Sequence, residues 1–465
     1  MIPIVTPEEM AAIDRAAPEP VDELIARAGH AVARAALAMM GGAYGRRVVV
    51  LAGPGNNGND GRDAARRLAQ RGVRVAIHEL GHLPEQVDGV DLVIDAVLGT
   101  GARPGFEAPR VAPGIAVLAV DMPSGVDGLT GEAGSGVLGA DCTVTFAALK
   151  PGLLFGAGRW RAGAVEVADI GLDTSSARAG LVTDHDVGRW VAGRDPNAHK
   201  WQSAVWVVAG SPGMTGAAHL AARAAQRAGA GYVRLSSPGI DGDPGRPTEA
   251  VGMPLPLDGW ADMVAEGSNR FGAVVVGPGL GTVPDTAGQV RSLLARLERP
   301  VVLDGDGLTA LGDDAASILR QRSAPTVLTP HDGEYRRLTG ALPASDRFEG
   351  ARRLAADTGA VVLLKGPTTI VADPSGDAYA VTSGDERLAT AGTGDVLAGI
   401  IGALLADGTI SAARAAAAAA HLHGRAGAVG SRHGLVAGDL PDRIPFVLDQ
   451  IRGTTWPPAP PCATS

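Results

Sequence analysis

The segment most clearly suited to chemistry is a turn of small residues that leads into an apolar helix. Residues 390–395 read TAGTGD, and the apolar residues after them have helical spacing. Glycines let backbone N–H groups approach a ligand closely, and a helix start attracts negative charge, so the turn predicts a site for phosphate or another developing anion. Asp395 adds a carboxylate that could act as general base at a phosphoryl group. An aspartate that only caps the helix is the structural alternative.

Lysine is scarce enough in this chain to point to particular positions. Of the 41 basic residues, three are lysines, namely Lys150, Lys200 and Lys365. Because arginine serves elsewhere, a retained lysine indicates a place where a compact ammonium group matters. Lys365 opens the loop KGPTT after an apolar run, and this loop offers donors suited to the phosphates of a nucleotide. A surface turn is the alternative interpretation of the same loop.

Another group of polar residues follows apolar runs in the first third of the chain. The pattern predicts a buried strand over residues 48–52, a Gly/Asn loop over 53–61 and a helix over 62–70. Two later predicted strands end in Asp95 and in the segment DMPSG that begins at Asp121. Parallel strands bring their carboxyl ends to one edge of a sheet, so this edge is a predicted ligand site.

The same predicted edge carries oxygen atoms that could bind a cation. Asn57, Asp95 and Ser124 would supply an amide, a carboxylate and a hydroxyl oxygen. A hard monovalent or divalent cation prefers such ligands. These residues could instead only cap the helices that follow them, and the residue pattern leaves both possibilities open.

The helices and strands that position these groups are predicted to form two domains. The chain has 465 residues, too many for one ordinary core, and 45% of them are apolar. Repeated strand–loop–helix units predict α/β domains over residues 1–175 and 176–453, followed by a disordered Pro-rich tail over 454–465. An Ala-rich helix over residues 412–427 is expected to serve packing rather than chemistry.

Composition argues against several classes of protein. A net charge of −9 without a basic stripe argues against a nucleic-acid-binding surface. The two cysteines, Cys142 and Cys462, provide neither a disulfide framework nor a metal–thiolate site, which fits a reducing cytoplasm. The N-terminus lacks the pattern of a signal peptide, and no apolar run reaches membrane-spanning length, so we expect no membrane partner.

Three motifs of the first domain, GPGNNGNDG, VIDAVLGTG and VDMPSGVDG, together resemble the NAD(P)H-hydrate epimerase family over roughly residues 5–172. The resemblance implies a Rossmann-like three-layer α/β/α domain in which Asp121 is the acid/base and also contacts the substrate. It further implies a potassium ion held by Asn57, Asp95 and Ser124. The substrate loops would comprise Asn56, Asn57, Gly58, Asn59, Asp60, Gly99, Thr100, Gly101, Ala102, Arg103, Pro104 and Gly105.

The second domain contains the string ATAGTGDVLAGIIGALL together with the segments GPGLG, TPHDGE and KGPTT. Over about residues 178–453 it resembles the nucleotide-dependent NAD(P)H-hydrate dehydratases, a branch of the ribokinase-like kinases. The resemblance implies a ribokinase-like α/β/α fold with Asp395 as catalytic base and with magnesium, which Glu334 could orient through water. The substrate would contact Gly279, His331 and Asp395, and the nucleotide would contact Lys365, Gly366, Pro367, Thr368, Thr369 and Gly394.

Two positions depart from the motifs of these families. Asn59 replaces the second glycine of the usual loop NNGGDG, and Trp201 replaces the glycine of the usual dehydratase opening HKG. Because asparagine tolerates left-handed backbone better than most residues do, we expect Asn59 to tune the loop rather than abolish it. The sequence does not show what Trp201 does.

Together the two resemblances imply repair of hydrated nicotinamide nucleotides. The first domain would interconvert the R and S hydrates of NADH and NADPH, and the second would dehydrate the S form at the expense of ADP, giving AMP and phosphate. The sequence alone does not separate ADP from ATP. We expect a homo-oligomer that acts on small molecules. The alternatives are a ribokinase-like small-molecule kinase with a stable phosphorylated product and a non-catalytic nucleotide-binding sensor.

Overall fold

The computed structural model describes residues 1–100 and 106–453 of the chain. It separates into two compact units, one spanning Ile2–Gly180 and the other beginning at Leu181. Both units are built on large, mainly parallel sheets, which confirms the predicted α/β class. Within the described residues, no helix combines the length and the apolar character needed to cross a bilayer.

The first unit is organised around a parallel sheet with the strand order β3-β2-β5-β7-β8-β9. Its strands, with β10 at the division between the units, are β1 (Ile2–Ile4), β2 (Arg47–Ala52), β3 (Arg74–Glu79), β4 (Gln86–Val87), β5 (Leu92–Ala96), β6 (Arg110–Val111), β7 (Ala116–Val120), β8 (Cys142–Phe146), β9 (Ala164–Ala168) and β10 (Ala179–Leu181). Its helices are α1 (Pro7–Ala16), α2 (Val21–Met40), α3 (Asn56–Gln70) and α4 (Gly156–Arg161). Successive residues of β2 alternate between two apolar clusters, because side chains of a strand point to opposite faces.

The Asn-rich segment after β2 differs from its prediction. We expected a loop over residues 53–61, but α3 begins at Asn56, directly after its N-cap Gly55. The glycines permit this early start because the helix packs closely against the chain that leaves β2. A Cβ at Gly58 would lie 1.9 Å from the carbonyl oxygen of Gly53. The predicted helix start at Arg62 was therefore wrong, since glycine here serves close packing rather than a loop.

The second unit contains a larger sheet whose strands follow the order β19-β18-β17-β16-β15-β14-β11-β12-β13. Pairing is parallel from β13 to β17, and β18 and β19 add antiparallel strands at one side. The strands are β11 (Ala204–Val208), β12 (Tyr232–Ser236), β13 (Val251–Gly252), β14 (Ala273–Val276), β15 (Val301–Leu303), β16 (Thr326–Leu328), β17 (Val361–Leu364), β18 (Thr369–Ala372) and β19 (Ala378–Val381).

The helices of the second unit are α5 (Asp184–Trp190), α6 (Thr215–Arg227), α7 (Trp260–Gly267), α8 (Pro284–Arg296), α9 (Asp306–Leu311), α10 (Ala315–Leu319), α11 (Asp332–Thr339), α12 (Arg347–Thr358), α13 (Thr393–Asp407), α14 (Ala412–Ala428) and α15 (Leu440–Arg452). Helix α13, which begins in the GTGD turn, lies on one face of the larger sheet among the other helices of the second unit. Helix α13 packs against α6, α14 and the sheet. Gly399 permits the contact with α6, since a Cβ there would lie 2.2 Å from the carbonyl oxygen of Ala221.

Trp201 lies at the amino ends of the strands of this sheet, shortly before β11. Its ring stacks on Tyr232 with a centroid distance of 4.4 Å, and the guanidinium of Arg270 lies 3.8 Å from its centroid. Phe271 contacts the ring edge-on. Because ligand sites of parallel sheets lie at the carboxyl ends, this departure from the family motif concerns packing at the other edge.

Candidate active sites

Asp95 and Ser124 meet at the carboxyl edge of the first sheet. The Asp95 carboxylate accepts hydrogen bonds from the backbone N–H of Ser124 at 2.8 Å and from its hydroxyl at 2.5 Å. Burial raises the pKa of Asp95, and the hydrogen bonds from Ser124 and Val97 oppose that shift. The two residues therefore form a buried hydrogen-bonded pair, as expected for neighbouring strand ends.

Asn57 differs from that pair because its amide has no partner among the described residues. Both Oδ1 and Nδ2 are buried without a hydrogen bond. A Cβ at Gly99 would lie 3.5 Å from Oδ1 of Asn57 and 3.1 Å from Oδ2 of Asp121, so these two side chains flank the same small residue. An unsatisfied buried amide is costly, which indicates a position that a ligand completes.

Asp121 is held by Lys150, a residue whose role sequence reasoning did not assign. The ammonium of Lys150, with 1% of its side chain exposed, donates to Oδ1 of Asp121 at 2.7 Å, to Oγ1 of Thr145 at 2.9 Å and to the carbonyl oxygen of Phe146 at 3.1 Å. Thr145 also donates to Oδ1 of Asp121 at 3.0 Å. These contacts fix one carboxylate oxygen of Asp121 and leave Oδ2 facing the space at Gly99.

The backbone of Asp121 is also unusual. Its φ of 63° lies in the left-handed region, which costs a non-glycine residue about 1–3 kcal/mol. Its N–H still donates to the carbonyl oxygen of Val144, so the neighbouring strand holds the residue in this conformation. The strained backbone sets the direction of the Asp121 carboxylate at the end of a strand. Backbone strain of this kind is common at functional sites.

These groups line a cavity of about 620 Å³ in the first unit. Asp14, Asp60, Asp121 and Lys150 supply its charged wall. The polar loop residues Asn56, Asn57, Gly99 and Thr100 line it as well, alongside apolar residues from α1 and α2. Of the predicted residues of the first site, the lining includes Asn56, Asn57, Asp60, Gly99, Thr100 and Asp121. It does not include Gly58, Asn59, Asp95 or Ser124. The predicted contacts Gly101, Ala102, Arg103, Pro104 and Gly105 lie outside the described residues.

Asn59 lies in helix α3 and needs no left-handed backbone. Our reason for expecting tolerance at this position was therefore wrong. Its Oδ1 accepts a hydrogen bond from Arg62 at 3.0 Å, and Arg62 also donates to the carbonyl oxygen of Gly53. The asparagine thus ties the start of α3 to the end of β2.

A second charged cluster lies at the carboxyl edge of the larger sheet, where Asp304 follows β15 and Lys365 follows β17. The Lys365 ammonium contacts Oδ1 of Asp304 at 2.8 Å and Oε2 of Glu334 at 3.4 Å. Thr329 donates to the same Oδ1 of Asp304 at 2.6 Å. Burial lowers the pKa of Lys365, but the two carboxylates outweigh it and raise the pKa overall. Asp304 was not singled out from the sequence, although it too ends an apolar strand.

Asp395 lies in the first turn of α13, beside this cluster. Burial, the leading cause, and the nearby carboxylate of Asp304 raise its pKa to about 7, while Lys365 acts in the opposite direction. Gly394 lies directly beside this cluster, because a Cβ there would be 3.7 Å from both Oδ2 of Asp304 and Nζ of Lys365. The arrangement joins a carboxyl group that titrates near neutrality, a cation and a helix start, as general-base chemistry at an anion requires.

The predicted nucleotide loop and the predicted substrate contact Gly279 both have ordinary structural roles. The loop Lys365 to Thr369, with Gly366, Pro367 and Thr368, joins the antiparallel strands β17 and β18. Arg347 donates to the carbonyl oxygen of Lys365 at 3.0 Å and so fixes the start of the loop. Gly279 has φ of 62° and its carbonyl oxygen accepts a hydrogen bond from Ser211 at 2.9 Å.

His331 acts as the N-cap of α11. Its Nδ1 accepts hydrogen bonds from the backbone N–H groups of Gly333 and Glu334, and the Glu334 carboxylate accepts in return from the N–H of His331 at 2.9 Å. More than half of the His331 side chain, 55%, remains exposed. The histidine therefore has a capping role, and its free face is available to a ligand.

His423 is a buried polar residue that sequence reasoning assigned to a packing helix. Burial lowers its pKa to about 4, and its imidazole is hydrogen-bonded to the backbone of Thr393 in the GTGD turn. Its Nε2 is buried without a partner among the described residues. The signal available in the sequence was a histidine inside a run of alanines, but the alanines dominate the pattern and indicate packing.

Comparisons with known proteins cover both units. The family described as YjeF-related protein N-terminus matches residues 21–88 and 77–152, and the family described as NAD(P)H-hydrate dehydratase matches residues 205–446. A ribokinase-like superfamily protein from Enterococcus faecalis shares the fold alone, with a TM-score of 0.52 and 22% identity over 59% of this chain and 96% of that one.

Two curated relatives extend over most of the chain. The bifunctional NAD(P)H-hydrate repair enzyme Nnr of Salinibacter ruber is 38% identical over 97% of this chain and 97% of its own length. The protein of the same name from Mycobacterium tuberculosis is 39% identical over 83% of this chain and 84% of its own length. With both charged clusters present and both units matched, the chain belongs to the family of bifunctional NAD(P)H-hydrate repair enzymes.

Proposed function

We propose that the chain repairs hydrated NADH and NADPH in two steps, one in each unit. The observation that carries the proposal is Asp395, a carboxyl group with a pKa of about 7 placed at a helix start beside Lys365. That combination suits removal of a proton from a hydroxyl while a phosphoryl group is transferred. The residue limits 1–175 and 176–453 remain our assignment of the epimerase and dehydratase domains.

The dehydration begins with a hydroxyl on the hydrated nicotinamide ring, which is a poor leaving group. Asp395 removes the hydroxyl proton as the oxygen attacks the terminal phosphorus of ADP, releasing AMP. The backbone N–H groups at Gly394 and the ammonium of Lys365 stabilise the charge on the phosphoryl oxygens. Elimination then breaks the carbon–oxygen bond to phosphate and removes a proton from the neighbouring ring carbon, which the departing phosphate can carry away, and the ring double bond is restored.

The first unit would interconvert the two hydrates so that both reach the dehydratase. Lys150 and Thr145 fix Oδ1 of Asp121 and leave Oδ2 free for proton transfer at the hydrated carbon. Asn56 to Asp60 and the loop from Gly99 would hold the substrate. The unpartnered amide of Asn57 supports this assignment because a ligand would satisfy it.

Cations complete the proposal at both sites. Asn57, Asp95 and Ser124 offer the oxygen ligands that suit potassium, and the unpartnered Oδ1 of Asn57 is the group that such an ion would satisfy. At the second site Glu334 would orient the water shell of magnesium. When bound, these ions would hold and neutralise anionic oxygens. We also expect a homo-oligomer, which size-exclusion chromatography with light scattering would test.

The direct test follows hydrated NADH back to NADH by absorbance, with ADP and ATP supplied in separate reactions. We expect recovery of NADH with release of AMP and phosphate when ADP is the donor. A stable phosphorylated product without NADH would favour the alternative small-molecule kinase. Nucleotide binding without turnover would favour a sensor.

Replacing Lys365 with arginine is expected to weaken ADP binding about tenfold, roughly 1.4 kcal/mol. The reason is geometric, because the compact ammonium fits between Asp304 and Glu334 and a planar guanidinium is larger. Titration calorimetry with ADP measures the change. Lys200→Arg is the matched control, since Lys200 is exposed beside Trp201 and Tyr232. An unchanged ADP dissociation constant in Lys365→Arg would make the lysine incidental.

Replacing Asp304 with asparagine is expected to move the acid limb of the dehydration pH profile to lower pH. In the wild type this limb should have its midpoint near pH 7, because Asp395 must be deprotonated to act as base. Removing the charge of Asp304, which raises the pKa of Asp395, lets Asp395 ionise at lower pH. The measurement is kcat/KM for dehydration against pH.

Asp306→Asn is the control for this shift, because Asp306 also raises the pKa of Asp395 but ranks below Asp304 among the causes. We expect a smaller movement of the limb in that variant. An unmoved limb in Asp304→Asn would contradict Asp395 as the titrating base.

A further inference from the structure

Asp60 is a buried carboxyl group to which the proposed epimerisation gives only a binding role. It lies in α3, is 8% exposed and lines the same cavity as Asp14, Asp121 and Lys150. Among the described residues, three carboxyl groups therefore share one cavity with one ammonium group. Such a set favours the retention of a proton on one of the carboxyls, because like charges in a buried space cannot all ionise at low cost.

The contacts of the nearby cations indicate which carboxyl keeps the proton. Lys150 uses its ammonium hydrogens on Asp121, Thr145 and the carbonyl oxygen of Phe146. Arg62 is engaged by Asn59, Glu79 and the carbonyl oxygen of Gly53. In the described part of the chain no ion pair joins Asp60 to a cation.

Burial is the largest of the causes that raise the pKa of Asp60 to about 8. The carboxylates of Asp121, of Asp63 on the same helix and of Asp14 on α1 act in the same direction. Asp121 is in the opposite electrostatic environment, because the ammonium group of Lys150 lies against its carboxylate. The cavity therefore presents one neutral carboxylic acid and one carboxylate from two different elements, α3 and the end of β7.

We propose that Asp60 is the second acid–base group of the epimerisation and works as the partner of Asp121. This rests on the proposed function of the first unit. Inversion at the hydrated carbon removes an oxygen from one face and adds one to the other, and a single carboxyl group does not serve both faces. A pair of groups in opposite protonation states meets that requirement.

The proposed step balances without any redox partner. The bond from the ring carbon to its hydroxyl oxygen breaks, Asp60 supplies the proton, and water leaves while the ring nitrogen lone pair forms a carbon–nitrogen double bond. A second water adds to the other face, its oxygen bonds to the carbon, and Asp121 takes its proton. The product is the epimeric hydrate, and transfer of one proton from Asp121 to Asp60 resets the site.

The test is Asp60→Asn in the full chain, with epimer interconversion followed by chiral separation. We expect the rate above the spontaneous background to fall about 10²–10⁴-fold. Asp88→Asn is the matched control, because it removes an exposed carboxylate of the same unit that is not in the cavity lining, and we expect it to stay within threefold of wild type. Dehydration of the S hydrate by the same preparations reports how much active protein each one contains.

Two measurements on the wild type make the outcome independent of any variant. Epimerisation should fall as pH rises through about 8, because Asp60 loses the proton it must donate. In water enriched in oxygen-18, each inversion should place one solvent oxygen on the ring carbon. Inversion with the original oxygen retained would overturn the step.

Other results separate failure of this inference from failure of the proposed function. If wild type and Asp88→Asn accelerate epimerisation and Asp60→Asn does so equally, the role of Asp60 is wrong and the function stands. Equal losses in Asp60→Asn and Asp88→Asn would also overturn it, since the loss would then not depend on a carboxyl group in the cavity. No acceleration by the wild-type chain, with or without potassium, would overturn the epimerase function itself.

Discussion

Asp395→Asn is expected to lower the rate of ADP-dependent dehydration by about 10²–10⁴-fold and to leave ADP binding nearly unchanged. The carboxylate is the group that would remove the hydroxyl proton, whereas the contacts to nucleotide phosphates would come from the turn and from Lys365. Asparagine keeps the size and a hydrogen-bonding oxygen but cannot accept the proton. Recovery of NADH absorbance gives kcat, and calorimetry gives the ADP dissociation constant.

The control for this variant is Asp407→Asn, which changes the last residue of the same helix. Asp407 is exposed, and the substitution alters the helix charge without touching the turn. Dehydration by this control should match wild type. Turnover by Asp395→Asn within a few-fold of wild type would remove Asp395 from the base role and leave it as a helix-start residue.

Asp121→Asn should abolish the enzymatic part of epimerisation while dehydration of the S hydrate continues at the wild-type rate. Repair of the R hydrate would then be limited by spontaneous interconversion. Oδ2 is the free oxygen that would take up a proton, and an amide at that position also loses the ion pair with Lys150. Chiral separation of the two hydrates over time, with ADP present, measures both steps in one reaction.

Asp127→Asn serves as the control because Asp127 lies in the same motif segment, where its carboxylate accepts hydrogen bonds from Leu129 and Thr130 within its own turn. Its replacement should reduce local stability and preserve the relative rates for the two hydrates. If Asp121→Asn consumed both epimers at wild-type rates, the assignment of epimerisation to Asp121 would fail.

The prediction of a Gly/Asn loop after β2 shows where local pattern reasoning stops. Glycine and asparagine are rare in helix interiors, so residues 53–61 read as a loop. The helix begins early because Gly58 can approach the backbone of Gly53, a close contact between elements that no local propensity reports. Asn59 was misjudged for the same reason, since its actual partner is the side chain of Arg62.

The sequence by itself determined the α/β class, the family and the segments that carry chemistry, because strand–loop–helix periodicity and motif spacing are local properties of the chain. Only the tertiary structure decided which groups act on one another. Lys150 meets Asp121 across 29 positions of sequence, and Lys365 meets Asp304 across 61. The strand order of each sheet brings these residues together. The pKa values of Lys365 and Asp395 depend on burial and neighbouring charge, neither of which a single segment specifies.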